Sequence, residues 1–435
     1  MSEPDPHDPL GLGRLLGPDV LGQLQRLLSW SGGPVNWDLA MDVARAGVDP
    51  KDIEVEAAEA TAIADAGRLA DVWLDPLTTL PASGGQMQPW TRRAWLASTL
   101  PAWKQLVEPV AGRVTAALGA AMEQGLSGEA LPPELRGLLG AAPLPLAGVM
   151  QQVGGLVFGA QVGQALAGLA GDVLACTEVG IPLGASALVP ANVAAFADGL
   201  EVPADEVRLY VAMREAAHQR LFQHVPWLRA HLFDAVDAYG RGIEVDPGTL
   251  ERAIGSFDPS DPSAAQAALS SGLFDIAPTE AQQAALERLE TALALVEGWV
   301  DTVVDAAAGG RLPHAAQLRE TVRRRRASGG PAEQTFATLV GLQLRPRRLR
   351  EAAALWARLT EERGVEGRDA LWAHPDLLPG GEDLDEPGSW GTCDGDGHAS
   401  SGDWDAALRD LGAAPGAPPH EGTDEPGAGP GATGS

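Results

Sequence analysis

Residues 214 to 224 read Arg-Glu-Ala-Ala-His-Gln-Arg-Leu-Phe-Gln-His. A His in place of Arg214 would give His-Glu-x-x-His, in which two imidazoles one helical turn apart bind zinc and the Glu between them serves as general base. Glu215 stands at the position of that base and His218 at that of the second ligand. At 100° per residue, Arg214, Glu215 and His218 fall on the apolar stripe formed by Val207, Val211, Leu221, Phe222 and Val225. Ionisable groups on a core-facing stripe need partners, because a buried charge left unpaired is costly. His224 lies about 110° from the centre of the stripe. The extended zinc pattern carries a Gly where this chain has Leu221, so the helix is expected to continue and to carry His224 away. Asp205 is expected to cap this helix and Pro226 to end it.

A downstream acid can serve the same site. Between 279 and 309, Leu286, Leu289, Leu293, Val296, Val300 and Val304 form a second stripe, and Glu297 falls inside it. Gly298 permits close backbone approach, and Asp301 follows one turn later. Glu297 is therefore the candidate third ligand and Asp301 its outer support. The alternative is a Glu297 at the stripe edge with its carboxylate in solvent. Zinc held by His218 and Glu297 still lacks a ligand, for which His224, His231 or His314 are the candidates. Arg214 cannot supply it, since a guanidinium has no available lone pair and stays protonated. It can instead balance the acids directly, through a bidentate ion pair between Arg214 and Glu297.

The elements that position these residues read as helices throughout. High Ala and Leu content and Pro/Gly punctuation predict helices over 37–46, 50–76, 90–125, 146–175, 205–225, 279–309, 313–328 and 331–364, with a break at Pro346. Asn36 is placed to begin the first of these, and Thr279 with Gln282 forms a capping-box pattern. Strand signals are confined to 178–190 and 243–246. The expected fold class is mainly α: an N-terminal amphipathic segment over 1–30, a helical domain over 31–379, and a disordered acidic tail over 380–435.

Charge and composition exclude several classes. The net charge is −28, of which the stretch from Glu382 onward, with 12 acidic residues and one basic, carries −11. That balance opposes nucleic-acid binding. The two cysteines, Cys176 and Cys393, form no disulfide framework, and the N-terminus has no leader pattern, so a cytoplasmic location is expected. No charge occurs between Arg136 and Asp172, where Gly155, Gly159 and Gly163 repeat at four-residue spacing. Such repeats pack helices closely in membranes or in a domain core; Pro143, Pro145 and four glutamines favour the core, and no membrane insertion is expected. "CDGDGH" (393–398) lacks the closing Glu of a calcium loop. The run Arg323–Arg326, which makes Ser328 resemble a basophilic kinase site, reads as a solvated helix face or a partner for the acidic tail. No phosphate loop or Ser/His/Asp set is present.

Several stretches together, "GGPVNWDLA" (32–40), "VGQALAG", "REAAHQRLFQHVPWLRAHL", "VEGWVD", "RRRRASGGPAEQTFATLVGL" and "GVEGRDALWAHPDLLP" (364–379), carry a resemblance. The chain resembles an actinobacterial family of zinc-dependent metalloproteases of the zincin type, some relatives of which are associated with deazaflavin-coenzyme biosynthesis. The resemblance implies a zincin-like helical domain with Glu215 as general base, His218 as second ligand and Glu297 as third. Arg214 departs from it at the first ligand. Two readings follow. One is a metal-free zincin scaffold, with an Arg–carboxylate pair in place of zinc and a peptide or protein partner. The other is an active zinc metallohydrolase using Glu215 as general base.

Overall fold

The computed structural model describes residues 33–49, 52–127, 146–242, 279–327 and 348–385. The 1–30 segment, the 243–246 strand signal, Pro346, Ser328, Cys393 and the calcium-like loop lie outside the described residues. The described chain is mainly helical. Its helices are α1 (Trp37–Val48), α2 (Ala57–Leu74), α3 (Arg92–Ser127), α4 (Leu146–Ala170), α5 (Pro190–Ala197), α6 (Ala204–His224), α7 (Pro226–Arg241), α8 (Glu280–Ala308), α9 (Ala315–Ala327), α10 (Leu349–Asp369) and α11 (Gly381–Asp385). The strand signal at 178–190 shrinks to a two-residue pairing, in which β1 (Gln88–Pro89) runs parallel to β2 (Ala187–Leu188), Gln88 opposite Ala187.

Helix ends follow local chemistry. The Asn36 side chain accepts from Leu39 N at 3.0 Å and opens α1. Thr279 and Gln282 form the reciprocal capping box of α8. Asp205 does not cap α6; Pro203 takes the N-cap position and makes no side-chain bond there. Asp205 and Glu206 lie in the first turn instead, where the helix dipole favours negative charge. Val225 ends α6 and Pro226 opens α7, the position where a missing N–H costs nothing. Gly381–Asp385, assigned by composition to the tail, form a short helix whose Leu384 is fully buried.

The Gly-repeat stretch lies on α4, which packs one face against α1 and leaves Gln164 and Gly168 exposed. A Cβ added at Gly163 would lie 2.5 Å from the Ala40 carbonyl oxygen, so α4 and α1 approach at backbone distance. No helix among the described residues is long and apolar enough to cross a membrane. At the centre, α8 packs against α2, α6, α7, α9 and α10. The core holds Trp95, Trp103, Trp299 and Trp356, all fully buried. Trp299 Nε1 donates to Asp369 Oδ1 at 2.9 Å, and the same carboxylate takes Arg368 Nε and Thr78 Oγ1.

Close approach also sets the α8–α10 contact. A Cβ at Gly298 would meet Ala352 Cβ at 2.7 Å and its carbonyl carbon at 2.8 Å. Gly298→Ala gains about 1 kcal/mol of helix propensity but overpacks a backbone contact, which costs up to about 3 kcal/mol. We expect a net loss of about 1–2 kcal/mol in chemical unfolding, whereas a gain in stability would contradict the contact.

Candidate functional site

Helix α6 carries the site, and it is buried on every side from Leu209 to Leu221. The apolar stripe accounts for only part of this, because Gln219 and Arg220 are buried as well. Arg220 is held by Asp71, Asp75 and the Leu80 carbonyl, so a charged residue off the stripe has its own acids waiting on the α2 end. Arg214, Glu215 and His218 are 8%, 1% and 1% exposed, which means that each must be satisfied by the protein itself.

Glu215 is held by four hydrogen-bond donors. Thr177 N and Oγ1 donate to Oε2 at 3.0 and 2.5 Å, and Ala187 N and Gln219 Nε2 donate to Oε1 at 3.4 and 2.9 Å. Burial raises its pKa, against the pull of the Thr177 and Gln219 hydrogen bonds. The crevice beside it, bordered by Leu174, Glu178, Val211, Arg214, His218 and Arg326 among others, has a volume of about 20 Å³. That is space for a single water.

Glu297 comes from α8 and is 3% exposed, so its carboxylate is not in solvent. Arg214 Nη2 lies 2.7 Å from Oε2. On the other oxygen, Oε1, Arg326 Nη2 stands at 2.7 Å and His218 Nε2 at 2.9 Å. Burial alone would raise the pKa of Glu297, but Arg326, His218 and Arg214 overcome it and hold the carboxyl at about 2. The Arg214–Glu297 pair is not bidentate: the guanidinium shares itself, with Nη1 turned to Asp301 Oδ1 at 4.0 Å. His218 Nδ1 faces the Arg214 carbonyl oxygen at 2.9 Å. Both ring nitrogens thus face oxygen atoms, one of the Arg214 carbonyl and one of the Glu297 carboxylate.

The other histidines are elsewhere. His224 is exposed at the end of α6. His231 packs edge-on against Trp227 on α7, with ring centres 5.6 Å apart. His314 Nδ1 lies 3.1 Å from Glu206 Oε2, two turns before Arg214 on the same helix. Among the described residues, no cluster of three or more His, Cys, Asp or Glu is placed to hold a metal ion.

The arginine run is the part that sequence reasoning misplaced. It is not a solvated face, apart from Arg324, whose partner is Glu320 on the same helix. Arg326 reaches Glu297; Arg323 Nη2 reaches Asp301 Oδ2 at 2.6 Å; Arg319 bridges Asp301 and Asp305 at 2.7 and 2.6 Å. Burial opposes ionisation of Asp301, yet Arg319 and Arg214 hold its pKa below the usual range. Arg325 pairs with Asp172 and Glu178, and Arg326 also donates to the Glu178 carbonyl. The signal was present in the spacing. Arg319, Arg323 and Arg326 share one face of α9, and Glu297, Asp301 and Asp305 share one face of α8. The two ladders match in opposite directions.

The structure thus sets an acid from a later helix, Glu297 of α8, beside the Glu-x-x-His segment of α6. The chain belongs to the zincin-like metallopeptidase family, whose family model matches residues 35–390. Zinc is the metal of that family in general. Among solved structures, the chain is similar to one from Chloroflexus aurantiacus described as "a putative hydrolase with a novel fold". The TM-score is 0.57 at 19% identity, covering 82% of this chain and 97% of that one, a likeness of fold. A comparison with curated proteins finds no match.

The ion-paired carboxylate gives a pH-dependent prediction. Glu297→Gln leaves buried guanidinium groups short of an acceptor and is expected to cost about 3–5 kcal/mol near neutrality. The folded-state pKa of Glu297 lies below its unfolded value of roughly 4.3. Its contribution is therefore fully present above that value and lost as pH falls through about 2. Glu215, with a raised pKa, acts in the opposite sense, and subtracting the variant from the parent cancels it. In urea unfolding, the parent-minus-variant difference should shrink as pH falls below about 4.3; a difference that does not fall below that pH would contradict the ion pairing.

Proposed function

We propose that this chain is a zincin-like scaffold without hydrolytic activity, in which cationic side chains stand where the family uses zinc, and that it acts as a binding module for a peptide or protein. The observation that carries the reading is the occupation of Glu297 by Arg214, Arg326 and His218. The residues present do not fit zinc. Position 214 offers no ligand atom, and both oxygens of Glu297 are already taken by guanidinium groups, Oε2 by Arg214 and Oε1 by Arg326. Catalytic zinc sites use three protein donors; here the two remaining candidates are hydrogen-bonded to each other.

The general base is equally engaged. Deprotonating a water needs a carboxylate with a free lone pair within hydrogen-bond reach of that water. The lone pairs of Glu215 are directed to Thr177 and Ala187, which tie α6 to the 173–188 loop, and to Gln219 on α6 itself. The adjoining crevice has no room for a peptide. A partner therefore binds to an outer face of the scaffold, with the buried network keeping that face in shape.

Peptide-library hydrolysis by the full chain, measured with and without a chelator beside Glu215→Gln, tests the reading. We expect background rates in all three samples. Chelator-sensitive hydrolysis that disappears in Glu215→Gln would overturn it in favour of an active zinc hydrolase.

A further inference from the structure

We propose that Arg326, more than Arg214, is the residue that closes this site to metal. The inference rests on the metal-free reading above and goes beyond it, because that reading by itself predicts that a His at position 214 restores zinc.

The argument turns on which oxygen each cation holds. Arg214 Nη2 takes Glu297 Oε2, whereas Arg326 Nη2 takes Oε1. Oε1 is the oxygen that His218 Nε2 faces at 2.9 Å. A zinc ion shared by His218 and Glu297 must lie about 2.0–2.2 Å from a donor atom of each, and the oxygen directed at that nitrogen is Oε1. Arg214→His therefore restores the number of ligands and frees Oε2, but Oε1 stays beneath a guanidinium. A divalent ion placed beside that buried fixed charge is repelled in a medium that screens poorly.

Arg326 is also held in place independently of Arg214. Its side chain is 16% exposed and donates to the Glu178 carbonyl oxygen. One turn back, Arg323 is anchored on Asp301, and Arg319 on Asp301 and Asp305. The neighbouring Arg325 pairs with Asp172 and Glu178. Removing Arg214 breaks none of these contacts, so α9 keeps Arg326 over Oε1.

The test uses the full chain as Arg214→His, Arg326→Met and the double variant, with zinc uptake measured by equilibrium dialysis and cobalt uptake by its visible absorption. We expect neither single variant to take up stoichiometric zinc, and the double variant to bind one ion at least about a hundredfold more tightly than Arg214→His, the factor corresponding to removal of one uncompensated buried charge. Arg214→His binding zinc as tightly as the double variant would overturn the proposal, as would a folded double variant that takes up no metal. Should the double variant fail to unfold cooperatively, Arg214→His decides alone: a folded, metal-free chain supports the role of Arg326, and one zinc per chain overturns it. Zinc in the unsubstituted chain is a separate result, which contradicts the metal-free reading itself.

Discussion

A carboxylate buried among apolar helices must be neutralised, and most of what is distinctive here follows from how Glu297 meets that requirement. It sits on the central helix α8, inside a stripe of Leu and Val, with 3% of its surface exposed. Desolvating such a group without partners costs several kcal/mol, a large share of the stability of a typical domain. In this chain the charge comes from Arg214 on α6 and Arg326 on α9, and His218 of α6 adds a hydrogen-bond contact. One carboxylate thereby joins three helices.

That joint explains the arrangement around it. The α8–α9 ladder, in which Asp301 and Asp305 take Arg319 and Arg323, extends the same charge pairing along the helix surface and aligns α9 so that Arg326 reaches inward. Arg325 grips Asp172 and Glu178 in the loop that covers Glu215. Glu215 is in turn closed by Thr177 of that loop. Both acids of the zincin-type site are thus engaged in holding elements together. An acid whose lone pairs are committed to its own fold is poorly suited to moving protons for a substrate.

Most of the helices were legible in the sequence because Pro, Gly and capping residues punctuate long apolar periods: Asn36 opens α1, Thr279 and Gln282 open α8, and Pro226 marks the end of α6, while α5 and α7 were not read. The stripe on α8 correctly placed Glu297 indoors, because periodicity reports directly on which face is buried. Two things were hidden. The burial of Arg220 and Gln219 depends on acids and carbonyls supplied by α2 and by the 173–188 loop, which no period along α6 reveals. The arginine run looked like a solvent face because four consecutive cations usually are one. Its reading required matching the spacing of three arginines on α9 with that of three acids on α8, a tertiary pairing that neither helix reveals by itself. Asp205 was misread for a simpler reason: Pro203 had already set the backbone that begins the helix.

The central claim is that cations of the chain itself fill the place of the metal. Elemental analysis of the purified full chain, grown and isolated with zinc in excess, tests it most directly. The account predicts zinc far below one ion per chain. One tightly held zinc per chain, lost when His218 is replaced, would contradict it.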